Sequence, residues 1–375
     1  MLRSLIKRWL APAVTSFARW WFSNPDKKKV HASLDALYEK VEKGNSEYTE
    51  KIIVDPEAAR FVILSDQHKG IRNDADDFRA TADNFCRALQ FYYEQGFTLI
   101  NNGDAEELWE NEPGEIIEHN KEALEMENLF AKAHRYIRLF GNHDLEWKYP
   151  HQQSLYLHPI FGKDLKVKEG IFLQTYYRSQ LWKIFIAHGH QGDHTSDGNA
   201  FSAWFVRYVW APLQRYLGIQ LYTTASSYEL VDRHNIIMYE WSRLQPQLLL
   251  ITGHTHKPVF ASMDHIDRLN RQLRDAVTSN DMTRVIQIQQ EIDQRKKEYE
   301  GKGLSPEKNR PCYFNTGCCC FADGDMTCIE WEEGMIRLVK WEKTSIGSNR
   351  VVLEETPLAS VFDELMDSTS AGRQR

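Results

Sequence analysis

Asp66, His68, Asp104, Asn142, His188, His254 and His256 are seven side chains able to bind divalent cations. They bring carboxylate, amide and imidazole donors and no thiolate, a mixture that suits manganese, iron or zinc. Two ions about 3.5–4 Å apart need one carboxylate in common, and Asp104 is the natural bridge. Any one of these residues alone is weak evidence, because an isolated His or Asp at a strand end is more often a hydrogen-bonded structural residue. Their conjunction carries the expectation, since clustered metal ligands mark functional sites.

What must position them is a pattern that recurs five times. Phe61-Val62-Ile63-Leu64 runs through Ser65 into Asp66 and His68; Phe97 to Ile100 leads to Gly103-Asp104; Tyr136 to Phe140 leads to Gly141-Asn142-His143-Asp144. Trp182 to Ile186 then leads to His188-Gly189-His190, and Leu248 to Ile251 to Gly253-His254-Thr255-His256. Short continuous apolar runs read as buried strands. In an open α/β sheet the carboxyl ends of the strands share one rim, so the five endings can converge. Between them, Phe78, Phe85, Leu89 and Tyr92 fall at helical spacing behind Asp74 or Asp76 as a cap, with Gly96 as the stop. Residues 115–134 predict another helix, and the alternation predicts a largely β-α-β wound sheet.

The series Asp66-x-His68, Gly103-Asp104, Gly141-Asn142-His143-Asp144, His188-Gly189-His190 and Gly253-His254-x-His256 resembles the calcineurin-like metallophosphoesterase superfamily. The resemblance runs from about Arg60 to Trp341 outside two insertions. It implies an α/β fold, a four-layer double β-sandwich flanked by helices, and two divalent metal ions, manganese first and iron or zinc otherwise. It implies one ion held by Asp66, His68, Asp104 and His256, and the other by Asp104, Asn142, His188 and His254. His143 would contact the scissile phosphate and assist the leaving group, with Asp144 orienting it. Hydrolysis of a phosphoric ester or pyrophosphate would then proceed by attack of a metal-activated hydroxide. A histidine backed by a carboxylate suits proton donation near neutral pH, while the alternative for Asp144 is a loop cap.

Within the superfamily, residues 103–109, the loop from His188 to Asp193 and residues 253–258 are similar to the bacterial UDP-2,3-diacylglucosamine hydrolases, which cleave a pyrophosphate in lipid A synthesis. This chain differs in its length, its amino terminus, its second insertion, and in carrying His143 where many of them carry arginine. His190, Lys69, Arg72 and Lys257 are further candidates for phosphate contact, against bracing of the loop with Asp193 for His190 and plain solvation for the basic residues.

The 375 residues, 42% of them hydrophobic, can bury a substantial core. The net charge of −7 is spread along the chain, which argues against nucleic acid as a partner. None of the six cysteines forms a C-x-x-C pair, so they read as reduced thiols on buried strands of a cytoplasmic protein. No apolar segment is long enough to span a bilayer.

Residues 1–23 place Leu2, Leu5, Ile6, Trp9, Leu10, Val14, Phe17 and Trp21 at helical spacing opposite Arg3, Lys7, Arg8 and Arg19. That pattern suits peripheral contact with the inner membrane face and, equally, packing on the chain's own domain. The organisation expected is an amphipathic segment and linker over 1–29, a domain over 30–345 and a C-terminal tail over 346–375 that frays beyond Pro357. Helical insertions fall at about 195–245, rich in aromatics from Phe201 to Tyr216 as lid or core, and about 262–305, two antiparallel helices broken near Ser279-Asn280 and a candidate for self-association over 262–300. Residues 311–341 predict three strands. The expected substrate is a phosphorylated small molecule or a lipid-linked diphosphate. A non-catalytic scaffold on the same fold is the alternative of another class.

Overall fold

The computed structural model describes residues 26–44, 46–73, 76–192, 228–279 and 310–371, with parts of 281–292. The amphipathic stretch over 1–23, Asp74, Asp193 and the aromatic run from Phe201 to Tyr216 lie outside the described residues. In chain order the strands are β1 (Thr49–Ile53), β2 (Arg60–Leu64), β3 (Thr98–Asn102), β4 (Tyr136–Leu139), β5 (Gly170–Tyr177), β6 (Gln180–Ala187) and β7 (Leu248–Thr252). They continue as β8 (Val259–Phe260), β9 (Met263–Asp264), β10 (Tyr313–Asn315), β11 (Met326–Glu332), β12 (Met335–Thr344) and β13 (Gly347–Pro357). The longer helices are α1 (Lys27–Lys43), α2 (Ala82–Glu94), α3 (Pro113–His119), α4 (Lys121–Lys132), α5 (Tyr228–Ser242), α6 (His265–Thr278) and α7 (Leu358–Ala371).

The five apolar runs divide between two mixed sheets rather than lining one wound sheet. One sheet has the order β13-β12-β11-β2-β3-β4 and the other β1-β5-β6-β7-β10-β8-β9. The alternation in β2 explains the layering. Phe61 and Ile63 face the core shared with Phe185, Ile251 and Phe314 of the second sheet, while Val62 and Leu64 pack outward on Phe85 and Leu89 of α2. Side chains of a strand alternate between its faces, so a strand covered on both sides reads as an unbroken apolar run. The second sheet is covered by α1, through Val30, Leu34 and Leu37, and by α5, through Met238 and Trp241. Two sheets face to face with helices outside make the expected α/β sandwich.

Register aligns the strand ends. Leu64 lies opposite Asn101, and Asn102 opposite Leu139, so parallel β2, β3 and β4 release their loops side by side. Ile186 lies opposite Ile251, which does the same for β6 and β7.

Three sequence expectations need correction. Among the described residues the stretch beyond Pro357 does not fray: β13 pairs along β12, and α7 buries Leu358, Val361, Phe362 and Leu365, with Phe362 stacked on Trp182 at 4.3 Å. Residues 115–134 form two helices, α3 and α4, broken at Asn120, whose amide donates to the Gly70 and Ile116 carbonyls. Asp76 does not cap α2; its carboxylate accepts the Arg72 backbone N–H, and Thr81 precedes the helix. The second insertion contributes α6 and helical residues within 282–292, joined in a small cluster of Leu269, Ala276, Ile288 and Ile292.

Candidate metal centre

Two of the donor groups formed where the carboxyl ends of the two sheets meet hold six of the seven expected ligands, and His68, Asp104 and His143 make a further one between them. Asp66, His68 and His256 make one, and Asp104, His188 and His254 the other, each with its ligand atoms within 4.8 Å of one another. His256 Nε2 lies 3.3 Å from Asp66 Oδ1 and 3.1 Å from His68 Nε2. His188 Nε2 lies 3.1 Å from Asp104 Oδ2, which is also 3.8 Å from His68 Nε2. Adjacent ligands of an ion bonded at about 2.1 Å sit roughly 3.0–3.4 Å apart, so the spacing fits a shared cation on each side of Asp104. Asn142 supplies a second sign of fit: its Oδ1 is buried with no hydrogen-bond partner among the described residues, and a buried carbonyl oxygen seldom goes without one.

The backbone is bent to make this arrangement. Asp66, His68, Asp104, His254 and His256 have φ between 50° and 68°, the left-handed region that side chains rarely adopt. Cross-loop hydrogen bonds hold them there: Asp66 N–H to Gly103 O (3.1 Å), His68 N–H to Asp104 O (2.9 Å) and Gly253 N–H to His188 O (2.8 Å). The Asp66 carboxylate accepts the His254 N–H. A Cβ on Gly141 would collide with the Asp104 carboxylate, which is why glycine precedes Asn142.

His143 sits at the edge of these groups. Its ring stacks on Trp109 at 3.9 Å and meets His68 edge-on at 4.6 Å, and its backbone N–H donates to Asp104 Oδ1 at 2.8 Å. Its Nδ1 lies 2.7 Å from Glu107 Oε2, and that carboxylate also reaches His68 Nδ1 at 3.0 Å. Asp144 does not orient His143. Its carboxylate accepts the backbone N–H groups of Gly141 (2.6 Å), Ala105 (2.9 Å) and Asp104 (3.2 Å), tying the β3 and β4 loops together.

A sequence model of calcineurin-like phosphoesterases matches residues 59–258 of the 375. The chain belongs to the calcineurin-like phosphoesterases. As such it is a hydrolase acting on phosphoric esters, and the family generally works through a dinuclear metal centre, for which the two donor groups provide. No curated protein matches the chain. Among solved structures, Vacuolar Protein Sorting 29 from Cryptosporidium parvum is similar over 80% of this chain and 98% of that one, at 14% identity and a TM-score of 0.33. So distant a likeness has no bearing on function.

In this phosphoesterase the charges of the centre balance internally. Burial alone would raise the Asp66 carboxyl, but His256 and His188 outweigh it and hold it at about 2. Burial would lower His188 and His143, yet Asp104 and Asp66 hold His188 up at about 9, and Glu107 with Asp104 does the same for His143. A divalent ion held by these side chains would take the place of those histidine protons.

Sequence reasoning missed Glu107, although it lies three residues beyond Asp104 in the same loop; an acid among acids carries no periodicity to mark it. Of the proposed phosphate contacts, Lys69 is committed elsewhere, buried with its Nζ 2.7 Å from Glu127 in a network with Glu106 and Arg138. Arg72 donates to the His119 carbonyl and lies over the Phe78 ring. His190 is buried 5.4 Å from the His188 ring, and Lys257 is buried. The thiols are not all on strands: Cys318 and Cys320 lie in the loop before β11, beside His256.

Proposed function

We propose that this phosphoesterase hydrolyses a phosphoric ester of an alcohol, with His143 as proton donor and Glu107 as the group that keeps it charged. The observation that carries the reading is the Glu107 carboxylate at 2.7 Å from His143 Nδ1, beside Asp104. Asp66, His68, Asp104 and His256 would hold one divalent ion, and Asp104, Asn142, His188 and His254 the other. Manganese is the ion proposed; iron and zinc suit the same donors. The ions would supply Lewis acidity and a water made acidic near neutral pH. The protein's own contribution is geometric and protonic: Asp104 and the strained loops fix the donors, Trp109 holds the His143 ring plane, and Glu107 leaves His143 Nε2–H to be given to a departing oxygen. An alkoxide needs that proton, and positioned acids contribute about 10²- to 10⁴-fold.

The test is leaving-group dependence. With Mn²⁺ supplied, His143→Gln should lose far more activity on an alkyl phosphate ester than on a 4-nitrophenyl ester, whose phenolate departs unaided. Equal losses on the two would remove the proton-donor role.

A second reading, cleavage of a lipid- or nucleotide-linked diphosphate, is supported by the resemblance of residues 103–109 and 253–258 to the UDP-2,3-diacylglucosamine hydrolases and by the basic amphipathic stretch over 1–23. Comparing monoesters, diesters and nucleotide diphosphate sugars would decide between them. Liposome co-sedimentation with and without residues 1–23 tests peripheral attachment; no helix among the described residues is long and apolar enough to cross a membrane. Val277, Met282 and Ile286 are exposed on the second insertion, which supports self-association through 262–300. Light scattering of the full chain should then report more than a monomer.

A further inference from the structure

His256 has a second face. While Nε2 turns to Asp66 and His68, Nδ1 lies 3.8 Å from Cys320 Sγ, and Cys318 completes a group whose ligand atoms all lie within 4.8 Å of one another. A tetrahedral zinc bonded to sulfur at about 2.3 Å and to imidazole at about 2.0 Å sets those ligands roughly 3.6 Å apart, close to the separation found.

The loop is built so that two of three successive thiols face this point. Cys319 turns the other way, into the core of the first sheet with Cys328 and Val339. Its backbone N–H donates to the Asp66 carbonyl at 3.1 Å, its carbonyl accepts from Thr81 Oγ1 at 2.6 Å, and the Cys318 carbonyl accepts the Thr327 N–H at 3.0 Å. The C-x-C segment is therefore fastened to the loop after β2 that carries Asp66 and to the start of β11. Two of the three donors are thus held in place by backbone hydrogen bonds of their own segment.

We propose that His256 Nδ1, Cys318 Sγ and Cys320 Sγ form a thiolate-rich site for a soft or borderline divalent ion such as zinc, distinct from the oxygen- and nitrogen-bound centre and sharing His256 with it. Binding releases the two thiol protons and the ring proton to solvent, and no electron is transferred. Thiolates select zinc where carboxylates accept manganese, so the chain can hold two kinds of ion a few ångströms apart.

Cobalt(II) is the probe. Titrated into metal-free, reduced full-length protein, it should reach three equivalents per chain and show a near-ultraviolet sulfur-to-cobalt charge-transfer band. Cys318→Ser and Cys320→Ser should each lose the band and one equivalent, while Cys319→Ser keeps both. Should the serine variants fail to fold, the wild type still answers: zinc should slow iodoacetamide labelling of Cys320, the partly exposed thiol of the two, at least tenfold. Two equivalents without the band, or labelling indifferent to zinc, would overturn the site. Hydrolysis of an aryl phosphate ester by the same sample reports the Asp104 centre separately, so an active enzyme lacking the band loses only this inference.

Discussion

The Glu107 carboxylate is the partner of His143, at 2.7 Å from its Nδ1, and it reaches His68 Nδ1 at 3.0 Å as well. One acid thus contacts both a candidate metal ligand, His68, and the proposed proton donor. Carboxylates behind histidines fix the tautomer and raise the basicity of the ring.

Replacing Glu107 with Gln should lower activity about 10- to 100-fold, the range found for groups that orient metal ligands. Glu107 raises the His143 value, so its neutral isostere lowers that value. The alkaline limb of the rate profile should then move to lower pH, and a limb that stays put would transfer the role to another group.

Asp144→Asn should act differently. An amide cannot accept the N–H groups of Gly141, Ala105 and Asp104 as the carboxylate does, so stability should fall by about 1–3 kcal/mol in urea unfolding. Any activity that survives should keep the wild-type pH limb, because Asp144 does not touch the His143 ring.

Metal-free protein should lose stability on the alkaline side. His143 and His188 are held near 9, above the ordinary histidine value of about 6.5 in an unfolded chain. A raised value stabilises fully below the unfolded pKa, so the contribution is complete below about pH 6.5, declines above it and is gone beyond about 9. Thermal melting in chelator across that window should show the decline, and Glu107→Gln should bring it to lower pH. Cys318, which Cys320 and His256 hold down at about 6 against its burial, gains stability over the same window, so the histidine contribution is read from the difference between wild type and Glu107→Gln; identical profiles for the two would contradict the charge arrangement.

Phe362→Ala tests the carboxyl-terminal helix. Phe362 is 2% exposed and stacked on Trp182, so its loss should cost about 3–5 kcal/mol in equilibrium unfolding. A fraying tail would register almost nothing.

The seven candidate donors could be brought together from the sequence because each follows an apolar run, and the parallel register of β2, β3 and β4 brings the run ends level. The partition into two sheets could not, since Phe61-Val62-Ile63-Leu64 looks the same whichever layers cover its faces. Leu358, Val361, Phe362 and Leu365 carry helical spacing, but the small polar residues that follow hide it. Glu107 and the Cys318–Cys320 pair escaped for a different reason: their significance lies in neighbours about 40 and 60 positions away along the chain, His143 and His256, which only the fold brings near.

The central claim is that Asp104 joins two ion-binding groups into one hydrolytic centre. Its most direct measurement is a manganese titration of metal-free protein, following hydrolysis of an aryl phosphate ester against ions bound, for wild type and Asp104→Ala. Activity should appear only with bound metal in the wild type and stay at background in a folded Asp104→Ala protein. Hydrolysis that ignores added manganese, or that persists in the variant, would contradict it.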